Sequence, residues 1–249
     1  MKRAFASAAL LGGCLLAADV PSATPALAPT LGANHAPPSD GVEGGLWMAS
    51  EQYERLLTQS PRRVRDAALE SYLREIVCRL SPDYCDDVRI YVVRTPYFNA
   101  TMLPNGAMQV WTGLLIRVRD EGQLAAVLGH ELGHYLRRHS LEQMEDLRHK
   151  SNLLTLFTLG LGAAVVGGGI DAGAANAASL GAQIGTLGSI TAFSREHETE
   201  ADLFGLGLLA NTGYDPHAAP TVWQDLIDED RADDGDTESR SAFFASHPA

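Results

Sequence analysis

His130-Glu131-Leu132-Gly133-His134 is the most informative segment of this chain, and it follows the pattern H-E-x-x-H. The acidic pair that begins at Asp120 suits the first turn of a helix, where the helix dipole is positive. Leu124, Leu128 and Leu132 follow at four-residue intervals, which is the spacing of one helix face. The sequence therefore predicts an amphipathic helix that runs through the motif to about Arg138.

The motif has the spacing of a metal site. Residues four apart on a helix lie on the same face, about 6 Å apart along the axis, so His130 and His134 can bind one metal ion. Glu131 can reach a water molecule on that metal. Zinc provides Lewis acidity and lowers the pKa of its bound water to about 7, so that a carboxylate can take the proton. The motif predicts a zinc-dependent peptidase with one zinc ion per chain, zinc-bound water as nucleophile and Glu131 as general base.

A catalytic zinc ion also needs a third protein ligand. His139 is the nearest histidine, but it follows His134 by five residues and so points away from the shared face. The polar segment Ser194–Asp202, which lies between apolar runs, offers better candidates. Its Glu198 and Asp202 are four residues apart, so that one can bind the metal while the other orients a histidine ligand.

The first 28 residues have the features of a secretory signal. Lys2 and Arg3 are positively charged, residues 4–18 are uncharged and rich in Ala and Leu, and Ala26-Leu27-Ala28 fits a cleavage site. The apolar run is too short for a membrane span and is soon followed by prolines. Residues 1–28 are therefore predicted to direct export to the bacterial periplasm or cell envelope.

The cysteines also indicate where the protein is located. Leu11-Gly12-Gly13-Cys14 resembles a lipoprotein signal, in which Cys14 would be acylated and would anchor the chain to a membrane. This alternative to a simple cleaved signal stays open. Cys78 and Cys85 flank a turn-like segment, and a disulfide between them suits an oxidising compartment. Two unpaired thiols are the alternative.

The rest of the chain divides into a lead-in and one domain. Residues 29–45 are rich in Pro, Ala, Gly and Ser and are predicted to be a flexible lead-in. Residues 46–249 are predicted to form one catalytic domain. Its pattern is helical from Leu46 to Leu80, and strands are predicted at Val88–Val93 and Met108–Thr112.

Charge narrows the range of partners. The formal net charge is −12, which argues against a nucleic-acid partner because phosphate binding relies on clustered Lys and Arg. The run Asp225–Glu238 is strongly acidic and is predicted to be a solvated surface loop. We therefore expect no nucleic-acid binding.

An apolar, Gly-rich stretch raises the question of membrane contact. Residues 153–170 carry no charge and are nearly long enough to cross a bilayer, but their glycines weaken a helix. Residues 153–190 also separate the motif from Glu198, so both ends must return to one site. A transmembrane hairpin is one interpretation. We favour helices that pack over the active site or contact a membrane surface.

The chain resembles peptidase family M48, the HtpX- and BepA-like zinc metallopeptidases that include envelope quality-control enzymes. The matching residues span nearly all of the predicted domain. They are Asn99-Ala100, Pro104-Asn105-Gly106, Gly113-Leu114-Leu115, residues 130–134, Arg138-His139, Ser194-Arg195, Glu198, Glu200-Ala201, Asp202, Gly213-Tyr214-Asp215-Pro216 and Ser246-His247-Pro248.

The resemblance implies a fold and a ligand set. The fold is an α+β, mainly helical zincin of the gluzincin-like type with a small sheet. Glu198 is implied as the third zinc ligand beside His130 and His134. Asp202 is implied as its helical partner in the catalytic centre, next to the base Glu131.

The resemblance also implies how substrate binds. The region Asn99–Thr112, with Asn99, Ala100, Asn105 and Gly106, is implied as an edge strand along which an extended substrate pairs. Such pairing reads backbone more than side chains and suits unfolded or misassembled envelope proteins.

His247 resembles a residue that reaches into the site and blocks the open position of the zinc ion in some relatives. An ordinary tail residue is the alternative interpretation. A permanent fourth ligand at His247 would instead favour a second function, a zinc-containing chaperone or assembly factor with latent or no proteolysis.

Overall fold

A computed structural model describes residues 29–149 and 193–232, together with Phe243 and His247. The predicted signal at 1–28 and the apolar segment 153–190 lie outside the described residues. Among those described, no helix is both long enough and apolar enough to cross a membrane.

The described part of the chain is mainly helical and contains one small sheet. In chain order the elements are α1 (Gly41–Gln59), β1 (Arg63–Val64), α2 (Ala67–Leu80), a 3-10 turn (Pro82–Tyr84), β2 (Arg89–Val93), β3 (Ala100–Met102), β4 (Ala107–Trp111), α3 (Thr112–Leu115), α4 (Glu121–Leu136), α5 (His139–His149), α6 (Arg195–Thr212) and α7 (Ala218–Ala232). The predicted α+β architecture, mainly helical with a small sheet, is confirmed.

The sheet has the strand order β1-β2-β4-β3. β2 and β4 run parallel, whereas β1 and β3 are antiparallel to their neighbours. β3 is therefore an edge strand, which pairs through Ala100 opposite Val110 and Met102 opposite Met108. The predicted strands at 88–93 and 108–112 correspond to β2 and β4.

The edge of the sheet is shorter than predicted. The region Asn99–Thr112 was expected to form the edge of the sheet, but only β3 lies at the edge; it ends at Met102, and the chain turns back into β4. β4 lies between β2 and β3, inside the sheet. The reason is the Pro-Asn-Gly turn at Pro104, which reverses the chain after three strand residues.

α4 is the central helix of the domain. The carboxylate of Asp120 accepts a hydrogen bond from the backbone N–H of Gln123 and caps the helix N-terminus. Every residue from Gln123 to Leu136 is buried. Because the helix packs against α2, α6, α7 and β3, even its polar residues face protein. The helix predicted around the motif is confirmed.

Glycines let α6 approach α4 closely. A Cβ atom at Gly205 would lie 2.9 Å from the backbone nitrogen of His130, and one at Gly133 would lie 2.9 Å from the carbonyl oxygen of Ala201. Real Cβ atoms almost never come so close, so any side chain at Gly205 or Gly133 would push the helices apart. This close packing brings the polar start of α6 against the H-E-x-x-H motif.

The flexible lead-in predicted at 29–45 differs from the structure. α1 begins at Gly41, and the backbone N–H groups of Thr30 and Leu31 donate to the carbonyl oxygen of Leu136 at 2.9 and 3.0 Å. The side chain of Leu31 is buried, and its carbonyl accepts a hydrogen bond from Tyr84. One apolar side chain and these backbone bonds at the end of α4 hold the segment, although its composition is typical of a linker.

Two further expectations have clear outcomes. Cys78 and Cys85 form the predicted disulfide, which joins the end of α2 to the following turn. The acidic run is not a loop at its start, because α7 continues to Ala232. Val222 and Leu226 lie four residues apart on its buried face, Asp225 beside them accepts a hydrogen bond from Gln123 of α4 at 3.0 Å, and Asp228 and Glu229 are exposed.

Candidate metal centre

Four side chains from three parts of the chain converge beside α4. They are His130 and His134 from α4, Glu198 from the first turn of α6, and His247 near the C-terminus. One donor atom of each lies within 4.8 Å of all the others. The three histidines are buried, and the Glu198 side chain is 12% exposed.

The spacing of these atoms fits a zinc ion. Donor atoms around a tetrahedral zinc with bonds of about 2.0–2.2 Å lie roughly 3.3–3.6 Å apart. Nε2 of His130 lies 3.0 Å from Nε2 of His134 and 3.2 Å from Nδ1 of His247. The Glu198 carboxylate lies 3.5 Å from His130 and 3.6 Å from His134. Two imidazoles and a carboxylate are also a common donor set for catalytic zinc.

Asp202 orients the first histidine. Its carboxylate lies 2.8 Å from Nδ1 of His130, one helical turn after Glu198 on α6. A carboxylate can only accept, so Nδ1 of His130 carries the proton and donates. The lone pair of Nε2 then points into the cluster, as a metal ligand requires.

His139 and Glu200 orient the second histidine in the same way. The Nε2–H group of His139 donates to Glu200 at 2.8 Å, which leaves Nδ1 of a neutral His139 as an acceptor. Nδ1 of His134, 3.0 Å away, therefore donates to it and keeps its own Nε2 free for the metal. Burial lowers the pKa of His139, which is consistent with a neutral ring. Arg137 holds the other oxygen of Glu200 at 2.6 Å.

Aromatic rings enclose the ligands. Phe193 stacks on His134 with ring centroids 3.9 Å apart, and Phe243 stacks on His247 at 4.3 Å. The ring of Trp223 meets His130 edge-on at 5.6 Å. These contacts restrict the rotation of the imidazoles and exclude water from their faces.

Glu131 lies at the centre of the site without a full set of partners. Its side chain is 1% exposed, and its Oε1 atom accepts no hydrogen bond from the described residues. That oxygen lies 3.4 Å from Nε2 of His247. Burial raises the pKa of Glu131, although the positive charge of His247 and His130 opposes this. A buried carboxylate oxygen that lacks a donor is suited to accept a proton from a substrate water.

The carboxylates give the cluster a negative field. Burial lowers the pKa of His130, but Asp202, Glu198 and Glu131 outweigh it and raise the pKa to about 10. Burial, together with positive charge on neighbouring histidines, holds the pKa of His134 well below its usual range. The negative charge of these carboxylates favours a cation at the cluster, and a divalent metal ion bound by neutral imidazoles would supply positive charge there in place of a proton on His130.

Sequence comparison places this site in a known family. The model of peptidase family M48 matches residues 63–249. The chain belongs to this family. The family predicted from the motifs is confirmed, and the matched residues include all four donors of the cluster.

Characterised M48 relatives are similar over part of their length. The chain is 34% identical to the mitochondrial metalloendopeptidase OMA1 of Schizosaccharomyces pombe, over 64% of this chain and 42% of that protein. It is 28% identical to the beta-barrel assembly-enhancing protease of Escherichia coli, over 73% of this chain and 37% of that protein. The chain thus spans about two fifths of the length of these relatives.

One solved structure is also similar. The crystal structure of Ste24p from S. mikatae aligns with a TM-score of 0.40 and 17% identity, over 82% of this chain and 56% of that one.

The edge-strand residues implied by the M48 resemblance fall in two places. Ala100 lies in β3, and the carbonyl of the preceding Asn99 accepts a hydrogen bond from the backbone of Trp111. Asn105 and Gly106 lie instead in the turn between β3 and β4. Gly106 has φ +86°, and a Cβ there would lie 2.2 Å from a neighbouring carbonyl oxygen, so the turn itself requires glycine.

Asn105 belongs to a polar network below that turn. Its Nδ2 group donates to Glu54 of α1 at 2.7 Å, and Arg89 and Tyr91 of β2 donate to the same carboxylate. Burial raises the pKa of Glu54, but these hydrogen bonds and the Arg89 charge lower it by more. Glu54 therefore fixes the turn against α1 and the sheet.

Sequence reasoning gave no role to several residues that the structure places at the candidate metal centre. Glu200 lay in the matched polar segment, and its place two residues after Glu198 was the available signal. Phe193, Trp223 and Phe243 had no signal, because their ring contacts depend on how distant segments pack.

Proposed function

We propose that this chain is a zinc-dependent endopeptidase that hydrolyses peptide bonds of unfolded or misassembled proteins of the cell envelope. The observation that carries the proposal is the buried cluster of two histidines and a glutamate beside a carboxylate, Glu131, one oxygen of which has no donor among the described residues. Membership of a peptidase family agrees with that chemistry.

His130, His134 and Glu198 would hold the zinc ion in a zincin fold of the gluzincin-like type. When bound there, zinc supplies Lewis acidity and lowers the pKa of a coordinated water to about 7. Asp202 and His139 keep the two imidazoles in the tautomers that ligation requires.

Glu131 carries the proton transfers. Its carboxylate takes a proton from the attacking water and delivers that proton to the nitrogen of the leaving amine. Burial favours the protonated form of Glu131 after the first transfer, since its pKa is raised. The same group can therefore serve as base and then as acid.

β3 provides a place for an extended substrate. Within the described residues it pairs on one side only, with β4, and its other side is an open edge. The last residue of β3, Met102, lies beside Glu131, because its backbone N–H donates a hydrogen bond to the Glu131 carboxylate; this bond opposes the rise in pKa that burial causes. An added peptide strand would thus lie next to the base, and backbone pairing would select unfolded chains over folded ones.

The disulfide and the predicted signal support an oxidising location outside the cytoplasm. We therefore propose the periplasm or cell envelope, with a lipid anchor at Cys14 as the alternative to a cleaved signal. Contact of 153–190 with a membrane stays a prediction.

The proposal is tested with one substrate in two states. A model protein held unfolded by reduction and alkylation is incubated with the zinc-loaded chain, beside the same protein in its folded form. We expect cleavage of the unfolded form, loss of cleavage with a chelator, and recovery when zinc is added back. Cleavage that persists after verified removal of zinc would contradict the proposal.

A chaperone or assembly factor is the second candidate, and the position of His247 favours it. Nδ1 of His247 lies 3.2 Å from Glu198 and 3.2 Å from His130, so His247 can act as a fourth protein donor. Four protein ligands make a structural site without an open position. The chaperone hypothesis predicts that His247→Ala does not cleave the unfolded protein and that the wild type suppresses its aggregation.

A further inference from the structure

A cavity beside the metal centre has no role in the mechanism above. It contains about 390 Å³ of atom-free space, including the part that opens to solvent. It lies between α1, the end of β3 and the junction of α4 with α5. Its wall includes His134 and a group of apolar side chains. These are Leu31, Leu46, Trp47, Met102, Leu103 and Leu141.

Half of those apolar residues precede the family match, which begins at residue 63. Leu31 is held by the backbone hydrogen bond from its N–H to Leu136 at the end of α4. α1, which carries Leu46 and Trp47, is held by the ion pair between Glu43 and Arg138 at 2.5 Å. The segment before residue 63 is therefore fixed as one side of the cavity.

The charged residues of the cavity are already paired. Glu43 lies 2.6 Å from His35 and is also the partner of Arg138. A charged group that entered the cavity would find no free counter-ion among these residues, and burying an unpaired charge is costly. Leu46 and Trp47 are only half buried, so an apolar group that enters removes their surface from water.

We propose that this cavity is a specificity pocket that takes an apolar side chain of the substrate, at one fixed position within about two residues of the scissile bond. The inference rests on the proposed function and deepens it. Met102 belongs both to the edge strand and to the cavity wall, and His134 belongs both to the metal cluster and to the wall. A peptide paired with β3 turns alternate side chains to one face, so one of them enters the cavity while a neighbouring carbonyl lies at the metal centre.

Binding to the inactive enzyme tests the pocket separately from catalysis. The probe is a set of fluorescent peptides that differ only by Leu or Ala at a single position, measured against the zinc-loaded full chain with Glu131→Gln. We expect Leu at one position to bind about tenfold more tightly than Ala, as for a partly enclosed apolar pocket. Leu at the other positions should have little effect.

Variants of the cavity wall then assign the preference. Trp47→Ala removes the largest apolar side chain of the wall and should reduce the preference to about twofold or less. Ser140→Leu fills the cavity from the α5 side, where Ser140 lines it, and should have the same effect if the first variant does not fold. Met48→Ala is the matched control, because Met48 is the next residue of α1 but is 66% exposed and does not line the cavity.

The outcomes separate the two proposals. A Leu preference that both wall variants retain would overturn the pocket, as would an absence of any binding difference in the parent protein. A preference that depends on Trp47, in a protein whose wild-type form does not cleave, would support the pocket and contradict the proposed peptidase activity.

Discussion

Removal of the Asp202 carboxylate should weaken zinc binding without removing any zinc ligand. Asp202 accepts a hydrogen bond from His130 at 2.8 Å, and loss of such an orienting partner typically lowers metal affinity by about 10- to 100-fold. The Asp202 side chain is 52% exposed, so solvent screens its charge and we expect the lower part of that range. Asp202→Ala should therefore raise the dissociation constant for zinc by about tenfold to thirtyfold.

The measurement is a competition titration with a chromogenic zinc chelator. Asp202→Asn keeps an oxygen that accepts from His130 but removes the charge, so its affinity should lie between those of the wild type and Asp202→Ala. Glu196→Ala is the control, because Glu196 lies on the same helix, is exposed, and does not belong to the cluster. If Asp202→Ala binds zinc within about twofold of the wild type while its circular dichroism is unchanged, the reasoning about ligand orientation is wrong.

Three further predictions concern stability and packing. The paired change Cys78→Ser and Cys85→Ser opens a short closed loop and should lower the free energy of unfolding by about 2.5 kcal/mol in urea titrations, whereas an unchanged midpoint would show that the disulfide does not form. Gly205→Ala should push α6 away from α4 and lower both the free energy of unfolding and the affinity for zinc. Gly129→Ala is the control and should lower neither, because its Cβ would make only ordinary contacts at 3.5 Å. Equal effects of the two changes would contradict the packing argument. Folding lowers the pKa of Glu54 below its ordinary value of 4.5. The ionised carboxylate therefore stabilises the folded state above pH 4.5, and this contribution to the free energy of unfolding is lost as the pH falls through the folded pKa. Glu54→Gln should therefore cost about 2 kcal/mol at pH 7, and a smaller amount at pH 3; a cost independent of pH would count against this.

The local parts of the site could be predicted from the sequence. The helix around His130 and His134 is specified by its acidic start and by leucines at four-residue spacing. All of these residues are close together in the sequence. Glu198 and Asp202 share a face for the same reason. Short-range spacing is sufficient wherever the chemistry lies on one helix.

The relation between α4 and α6 could not be predicted in this way. Glu200 acquires its role only because Gly133 and Gly205 let the two helices pack closely, and that packing joins residues about 60 to 75 positions apart. The angle of His139 on the predicted helix excluded it from the ligand set, but the spacing pattern could not predict that it would contact Glu200. Contacts of this kind depend on tertiary structure.

Composition misled at two places. Residues 29–45 have the composition of a linker, but Leu31 is buried and fixes the segment on the domain. The acidic run that begins at Asp225 has the charge of a solvated loop, and this charge outweighed the helical spacing of Val222 and Leu226 in the prediction. β3 was too short, at three residues, to show the alternation that marks a strand.

The central claim is that Glu131 transfers protons at a zinc ion held by this cluster. The most direct test is the cleavage rate of an unfolded protein by zinc-loaded Glu131→Gln, with the bound zinc of the variant counted by atomic emission. The account predicts one zinc per chain in both proteins and a fall in cleavage of at least about 100-fold in the variant, because general base catalysis contributes about that much or more. Full cleavage by a variant that retains its zinc would contradict the claim.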